Sequence, residues 1–384
     1  MLNNKKLLSA IVAIVLGFVI AIIFAMILGI NTSGGGLHTY MPQEILSPMF
    51  KSFTGIDLTG KEAFNPRYIG EFIVAAVPLI LTGLSVGFAW QTGLFNIGSE
   101  GQLMMGGVAA TLCGLYLDLP IIIHAIVCLI AAGLAGFITG FIPGFLKAKF
   151  DVHEVVTCIM LNYVCLHLAN LIYAAQPGYE AQKTPPIKAT ASLSSDFLAR
   201  LSGGSRLNWS ILVVIVAVLV YWFIINKTTF GYQLKAIGHN KNAAQYAGMK
   251  VKWGITLSMG ISGVFAGLAG AALVLGIFQT GRVLQGFEEY GYNGIAVALV
   301  GANSALGIFF AGGLFSILQV SQPLLQYVGI PREIAVIISA LIIFFYAIPL
   351  LYEKYIDRFI KRNKKNKVKK NKLLQAKDEQ GGMP

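Results

Sequence analysis

The sequence predicts an all-α integral membrane protein with about ten transmembrane helices. Three observations support this fold class: the 384-residue chain is 56% hydrophobic, only 12% of it is charged, and its apolar residues gather in long runs. A soluble domain is typically about half apolar and about a quarter charged. The apolar excess must therefore face lipid, because roughly 20 apolar residues are needed to cross the hydrocarbon core of a bilayer.

The apolar runs define the predicted helices. A short run at 291–301 is expected to be a half-helix or a thin span. The first run follows two lysines, as a signal peptide would, but it is longer than a signal core of about 7–15 residues and is interpreted as a retained helix. The long runs lie at 7–30, 70–91, 95–117, 121–146, 154–175, 209–226, 253–278, 304–327 and 332–351.

The distribution of lysine and arginine predicts the topology. Ten basic residues lie between Lys354 and Lys372, and the 227–252 loop carries five lysines and no acidic residue. Positive charge concentrates on the cytoplasmic side of membrane proteins, so both chain ends and this loop are expected inside. The number of crossings is then even, which favours counting the short run as a tenth helix.

The remaining polar segments complete the predicted organisation. Segments 31–69 and 176–208 mix both signs of charge with Pro, Gly and Ser and are expected outside. The chain is thus divided into a transmembrane domain over 1–353 and a basic, disordered cytoplasmic tail over 354–384.

Several function classes are excluded or disfavoured. The net charge of +12 is confined to hydrophilic ends and one loop, which indicates anionic lipid headgroups rather than nucleic acid. The HEVVT sequence at 153–157 lacks the second histidine of a zinc protease, so no metal site is predicted. The phosphate-loop-like sequence that ends at Lys61 is followed by Glu62 where Ser or Thr must bind magnesium, so no ATP site is predicted either.

A polar stretch at 93–102 interrupts two apolar runs with a carboxylate, amides and glycines. Polar groups at membrane depth are costly, and where they occur they usually line a cavity or a path. In a transporter, such a break indicates the substrate path or a hinge. The alternative is a short turn at the membrane interface, with Glu100 near the headgroups.

The basic loop contains a short predicted helix. Asn240 supplies the N-cap, and Gly248 supplies the stop about two turns later. A basic cytoplasmic loop normally reflects topology alone. A loop with its own capped helix can also be a surface that another protein contacts.

Four segments share a distinctive pattern. They are FNIGSEGQ at 95–102, HEVVTCIMLNY at 153–163, GYQLKAIG at 231–238 running into NAAQYAG at 242–248, and GYNGIAVALVG at 291–301. Together they resemble the permease subunits of ATP-driven importers in the branched-chain amino acid and simple-sugar group, with Cys158 where that family's pattern has Thr. Within the group, the chain looks most like the larger permease of bacterial nucleoside importers.

The resemblance implies a type II ABC importer-like permease in the bacterial cell membrane, which is not itself an enzyme. It implies a second permease subunit, expected to be a different chain, a cytoplasmic ABC ATPase that carries the ATP and Mg²⁺, and an external substrate-binding lipoprotein. No cofactor is expected in this chain. The ATPase-coupling helix would comprise Asn242, Ala243, Ala244, Gln245, Tyr246, Ala247 and Gly248.

A nucleoside has a flat base and a polar ribose, so its path should offer aromatic faces together with amide or hydroxyl partners. Seven side chains at predicted membrane depth are the candidates, and only weak contacts are expected from them. They are Asn96, Glu100, Gln102, Asn162, Tyr163, Asn293 and Asn303.

Three other functions remain open at this point. A permease for simple sugars or branched-chain amino acids shares the same core motifs. An ion-driven secondary transporter would use Glu100 or Glu154 as its coupling site. A channel or scaffold would have no pumping partner at all.

Overall fold

A computed structural model describes residues 42–58, 60 and 63–347, and scattered residues between 12 and 23, which are helical. The chain divides into two compact units, Met1–Leu28 with Val336–Pro384, and Gly29–Ala335. In the first unit, a Cβ placed on Gly17 would lie 2.8 Å from the Cα of Ile342, so two backbones approach closely there. The predicted tail at 354–384 and residues 31–41 lie outside the described residues.

The described residues form helices joined by turns, with only isolated β-bridges between loop residues. In chain order the helices are α1 (Pro42–Thr54), α2 (Arg67–Trp90), α3 (Ser99–Tyr116), α4 (Ile121–Phe150), α5 (Glu154–Ala174), α6 (Asp196–Leu201), α7 (Ser210–Lys227), α8 (Thr229–His239), α9 (Lys241–Tyr246), α10 (Val251–Ala271, continued by a π-helix over Ala272–Phe278), α11 (Tyr290–Val300), α12 (Ala305–Tyr327) and α13 (Glu333–Ala347).

The helices agree with most of the predicted spans. Within the described part of the chain, six helices are long and apolar enough to cross a membrane: α2, α4, α5, α7, α10 with its π-helix, and α12. The run at 291–301 is confirmed as short, because α11 has only 11 residues. Ten crossings therefore remain a prediction, which depends on the shorter helices and on the first run.

Local sequence explains where several helices begin and end. Ser304 and Thr228 cap α12 and α8 by accepting hydrogen bonds from the amides of Gly307 and Gly231. Such caps satisfy amide groups that the first turn leaves without partners. The last turn of α4 carries Lys147 and Lys149, where cations favour the negative end of the helix dipole.

Close contacts between small residues hold the centre of the larger unit together. Helix α10 packs against α3 and α4, and glycines from both sides line the contact with α4. A Cβ built on Gly263 would lie 2.0 Å from the carbonyl oxygen of Gly136. The two helix backbones touch there, which small residues allow in a membrane protein.

This contact predicts a strong effect from a single methyl group. Gly263→Ala is expected to force α4 and α10 apart and to lower the stability of the purified protein by about 1–3 kcal/mol, as overpacking does. Thermal unfolding in detergent measures this. Gly313→Ala on α12 is the matched control, because its added methyl would meet only the Phe72 ring at 3.7 Å. Equal stability of the two variants would contradict this packing.

The segment expected outside at 176–208 is ordered against the end of α10. Amides of Thr184, Ile187 and Leu193 donate to the carbonyls of Gly281, Gln279 and Leu275. These bonds satisfy backbone groups where the π-helix ends at Gln279, which is in the left-handed region with φ +56°. The segment thus forms a cover over one end of the bundle.

Candidate functional site

The polar stretch at 93–102 forms the turn between α2 and α3 and the first turn of α3. Asn96 and Gln102 are fully buried and pair through both ends of their amides. Asn96 Nδ2 donates to Gln102 Oε1 at 2.8 Å, and Gln102 Nε2 donates to Asn96 Oδ1 at 3.1 Å. Asn96 Nδ2 also lies 2.6 Å from Ser262 Oγ on α10. Each amide satisfies the other in an apolar interior, where an unpaired polar group is costly.

Glu100 joins α3 to α11. Its side chain is fully buried, and its two oxygens accept hydrogen bonds from the amides of Glu289 at 2.9 Å and Gly291 at 2.6 Å. These amides begin α11, where the helix dipole favours a negative charge. The Ser99 hydroxyl adds a bond to the Gly291 carbonyl at 3.1 Å. Glu100 therefore caps a helix other than its own.

Asn162 links α5 to the turn between α2 and α3 and to the first turn of α3. Its Oδ1 accepts from the amide of Gly101 at 2.9 Å, and its Nδ2 donates to the carbonyl of Ile97 at 3.0 Å. Its Nδ2 also lies 3.3 Å from the Tyr292 hydroxyl. The polar cluster is thus formed by Asn96, Glu100, Gln102 and Asn162.

The other predicted path residues lie apart from the polar cluster. Tyr163 is 51% exposed, and its ring centroid is 5.0 Å from that of Phe287. Asn293 is exposed on α11. Asn303 is in the left-handed region, and its backbone carbonyl accepts hydrogen bonds from the Tyr221 hydroxyl at 2.7 Å and Gln91 Nε2 at 3.0 Å.

The seven predicted path residues differ in burial and in hydrogen bonding. The four side chains of the polar cluster already bond to one another or to backbone, so they stabilise the meeting point of α3, α5, α10 and α11. Tyr163 and Asn293 are exposed on the surface of this chain. A role for any of the seven in the substrate path stays a prediction.

The predicted coupling helix is α9, with caps at the expected residues. Asn240 Oδ1 accepts from the amide of Ala243 at 3.0 Å, and Gly248 ends the helix with φ +80°. Tyr246 is 94% exposed. Asn242, Ala243, Gln245, Ala247 and Gly248 are exposed as well.

Ala244 differs from its neighbours, because it is only 3% exposed. It faces the bundle rather than the surface that a partner would contact. Ala244 belongs to an inner apolar cluster, which comprises Ala89, Leu94, Cys158, Ile237, Ala244, Val251, Ile255 and Met259.

Two contacts connect this loop to the polar cluster. Cys158 and Leu94 share the inner apolar cluster with Ala244, and the Cys158 thiol lies 3.9 Å from Asn96 Oδ1. In addition, a Cβ on Gly238 of α8 would lie 2.3 Å from the Gln91 carbonyl, so α8 touches the turn after α2. A displacement of the loop would therefore press directly on the 91–98 turn.

The turn between α4 and α5 lies beside α9. Lys147 Nζ is 3.2 Å from Asp151 Oδ1 and 3.4 Å from Glu154 Oε2. Lys147, together with the charge of Lys241 on α9, holds the pKa of Asp151 below its usual range. Glu154 is thus an ion-pair partner at the end of a helix.

Two polar side chains of the predicted spans bond to nearby loops. His124 is buried, with its ring nitrogens 2.8 Å from Thr190 Oγ1 and 3.1 Å from the Cys113 carbonyl. Asn170 of α5 bonds both backbone groups of Leu284. These bonds hold the cover and the loop before α11 in place.

The loop before α11 is held by an ion pair between Arg282 and Glu288. Burial raises the pKa of the Glu288 carboxyl, against the lowering effect of Arg282. The Arg282 guanidinium also lies over the Phe278 ring, 3.3 Å from its centroid. These contacts order the loop, whereas Glu289 remains exposed.

Sequence reasoning missed several members of the site. Ser85 and Ser262 are fully buried and bond to Asn96, and Gln91 and Tyr221 bracket the Asn303 carbonyl. The available signal was the presence of serine in each of two apolar helices. A buried hydroxyl needs a hydrogen-bond partner, so each serine indicates a polar group nearby. Helix α8 was also missed within the basic loop.

The comparisons with known proteins identify the family. Residues 68–347 match the family described as branched-chain amino acid transport system / permease component. The chain belongs to this permease family. It is therefore a multi-pass membrane subunit of an ATP-driven transporter rather than an enzyme, and it works with a separate ATPase.

Three relatives illustrate the similarity. The guanosine ABC transporter permease protein NupP of Bacillus subtilis is 41% identical over 78% of this chain and 85% of its own length. The nucleoside permease NupB of Lactococcus lactis is 34% identical over 92% and 94%. The glucose permease TsgB13 of Haloferax volcanii is 32% identical over 74% and 77%.

Proposed function

We propose that this permease translocates nucleosides in an ATP-driven importer, which receives them from an external binding lipoprotein. The observation that carries this proposal is the similarity to two nucleoside permeases, one at 41% identity and one that aligns with 92% of the chain. The glucose permease is less similar and aligns over a shorter part. A simple-sugar or amino acid substrate is therefore less favoured.

The proposed drive comes from the ATPase partner, where ATP and Mg²⁺ bind. Exposed Tyr246 and its neighbours on α9 would enter a groove of the ATPase on the cytoplasmic face. When the ATPase dimer closes, α9 is pushed toward the inner apolar cluster through Ala244. The push then reaches the 91–98 turn and tilts α2 and α3, which that turn joins.

The proposed assembly contains a second permease subunit and the lipoprotein. The second permease is expected to be a different chain, as the resemblance to nucleoside importers implies. Both chain ends and the basic loop would face the cytoplasm, as the positive charges favour. The cover at 176–208 would then face the lipoprotein.

Uptake measurements test the proposed substrate. Cells that lack this chain should lose uptake of labelled adenosine and uridine, and a plasmid copy should restore it. Uptake of labelled glucose and leucine should stay unchanged. Loss of glucose or leucine uptake instead would contradict the nucleoside assignment. Collapse of uptake by an ionophore at constant cellular ATP would favour an ion-driven transporter.

A further inference from the structure

A cavity lies at the end of the helix bundle opposite the basic loop, beside the start of α11. It has a volume of about 730 Å³, which is within the range of roughly 300–1,000 Å³ that small-molecule sites occupy. We call it the outer cleft. Its wall is formed by the beginning of α2, the second half of α12 and the end of the π-helix, and Tyr290 belongs to its lining.

The outer cleft has aromatic and amide groups in its lining. Tyr68, Phe278, Tyr290 and Tyr327 contribute rings, and Gln319 contributes an amide. The Gln319 side chain lies beside Tyr290 in this lining. Its Oε1 atom is buried and has no hydrogen-bond partner among the described residues. A buried acceptor without a partner is costly, so a ligand N–H or O–H would be a favourable partner once the Gln319 side chain turns its amide oxygen into the cleft.

The described lining of the outer cleft contains one carboxylate, Glu71, and three cationic side chains, Lys51, Arg67 and Arg206. Arg206 Nε and one terminal nitrogen donate to Glu71 Oε2 at 3.0 and 2.6 Å. The charge of Arg67 also lies near Glu71, and Lys51 Nζ stands 5.1 Å from the Tyr68 ring centroid. The buried acceptor without a partner is a neutral amide oxygen, which requires an N–H or O–H donor from the ligand.

The outer cleft also lies next to the polar cluster. Tyr290 lines the cleft, and its backbone carbonyl accepts from Thr82 Oγ1 of α2 at 2.9 Å. The next residue, Gly291, is the one whose amide is held by Glu100. Tyr290 is thus fixed between the outer cleft and the part of the bundle that receives the push from the coupling helix.

We propose that the outer cleft is a nucleoside-binding site of the permease, with Gln319 Oε1 accepting from the base or ribose and Tyr290 stacking on the base. The inference rests on the proposed function, and it adds a defined position where the solute binds before translocation. Aromatic stacking plus one amide bond suits a flat base joined to a polar sugar. Binding is expected to be weak, since few groups contribute.

Cysteine protection tests this site without requiring tight binding. In the assembled transporter in nanodiscs, Gln319→Cys is expected to react with a maleimide, and millimolar adenosine or uridine should slow the reaction. Glucose and leucine should not. Gln326→Cys is the matched control, because it is exposed on the same helix but outside the outer cleft. Labelling is compared with that of the parent protein, whose Cys128, Cys158 and Cys165 are buried.

Uptake by matched variants supplies the second readout. Gln319→Leu should reduce adenosine uptake about three- to tenfold, the effect of one lost hydrogen bond to a neutral ligand, whereas Gln326→Leu should stay within about twofold of the parent. The site would be overturned if Gln319→Cys does not react with the maleimide, if nucleosides leave its labelling rate unchanged, or if glucose or leucine protects it. Those results would leave the proposed function intact if adenosine uptake still requires the chain.

Discussion

Replacing Tyr246 with alanine is expected to abolish nucleoside uptake while the permease remains folded in the membrane. Tyr246 is 94% exposed on a helix with intact caps, so it contributes nothing substantial to packing. Tyrosines that insert into a partner's groove often contribute about 2 kcal/mol or more, equivalent to about 30-fold in affinity. The loss should appear as reduced uptake and as reduced co-purification of the ATPase.

Tyr232→Ala is the matched control for this prediction. Tyr232 is also exposed, at 67%, and lies in the same basic loop, but on α8. Its loss should leave uptake and ATPase binding nearly unchanged. If Tyr246→Ala and Tyr232→Ala behave alike, α9 is not the coupling surface. A bulky charged residue at Ala244 is a poorer test, since this buried position would affect folding as well as coupling.

Replacing Glu100 with alanine is expected to destabilise the protein by about 2–4 kcal/mol and to abolish uptake. The change leaves the buried amides of Glu289 and Gly291 without their acceptor, and each such group costs roughly 1–3 kcal/mol. Glu100→Gln should lose about half as much stability, because its remaining oxygen can still accept from one amide. Thermal unfolding of the purified protein in detergent measures both.

Glu333→Gln controls for the loss of a carboxylate at a helix start. Glu333 lies in the first turn of α13 with its side chain 65% exposed, so its replacement should change stability little. An ion-driven transporter would give a different pattern for Glu100. In that case Glu100→Gln would keep wild-type stability and lose only the response of uptake to the ion gradient.

Sequence patterns sufficed for the features that local chemistry determines. Apolar runs located α4, α5, α7 and α12 because a bilayer requires a minimum length. Asn240 and Gly248 located α9 because capping depends on residues only a few positions apart. The short α11 was predicted from its apolar run, as the long helices were.

Features that depend on distant partners could not be predicted. The sequence shows that a carboxylate such as Glu100 is costly in a membrane. Only the fold shows that its oxygens accept hydrogen bonds from the amides at the start of α11. Asn96, Gln102 and Asn162 lie together in the polar cluster, whereas Asn293 is exposed on α11 and Asn303 lies in the turn that follows it. The outer cleft combines α2, α12 and the π-helix, which are far apart in sequence.

Reconstitution tests the central claim most directly, which is that the force for transport arrives from an ATPase through α9. The purified permease pair with the ATPase and the lipoprotein should accumulate adenosine in vesicles against a gradient when ATP is supplied on the ATPase side. The same preparation without the ATPase, or with Tyr246→Ala, should only equilibrate it. Uphill accumulation by the permease alone would contradict the account.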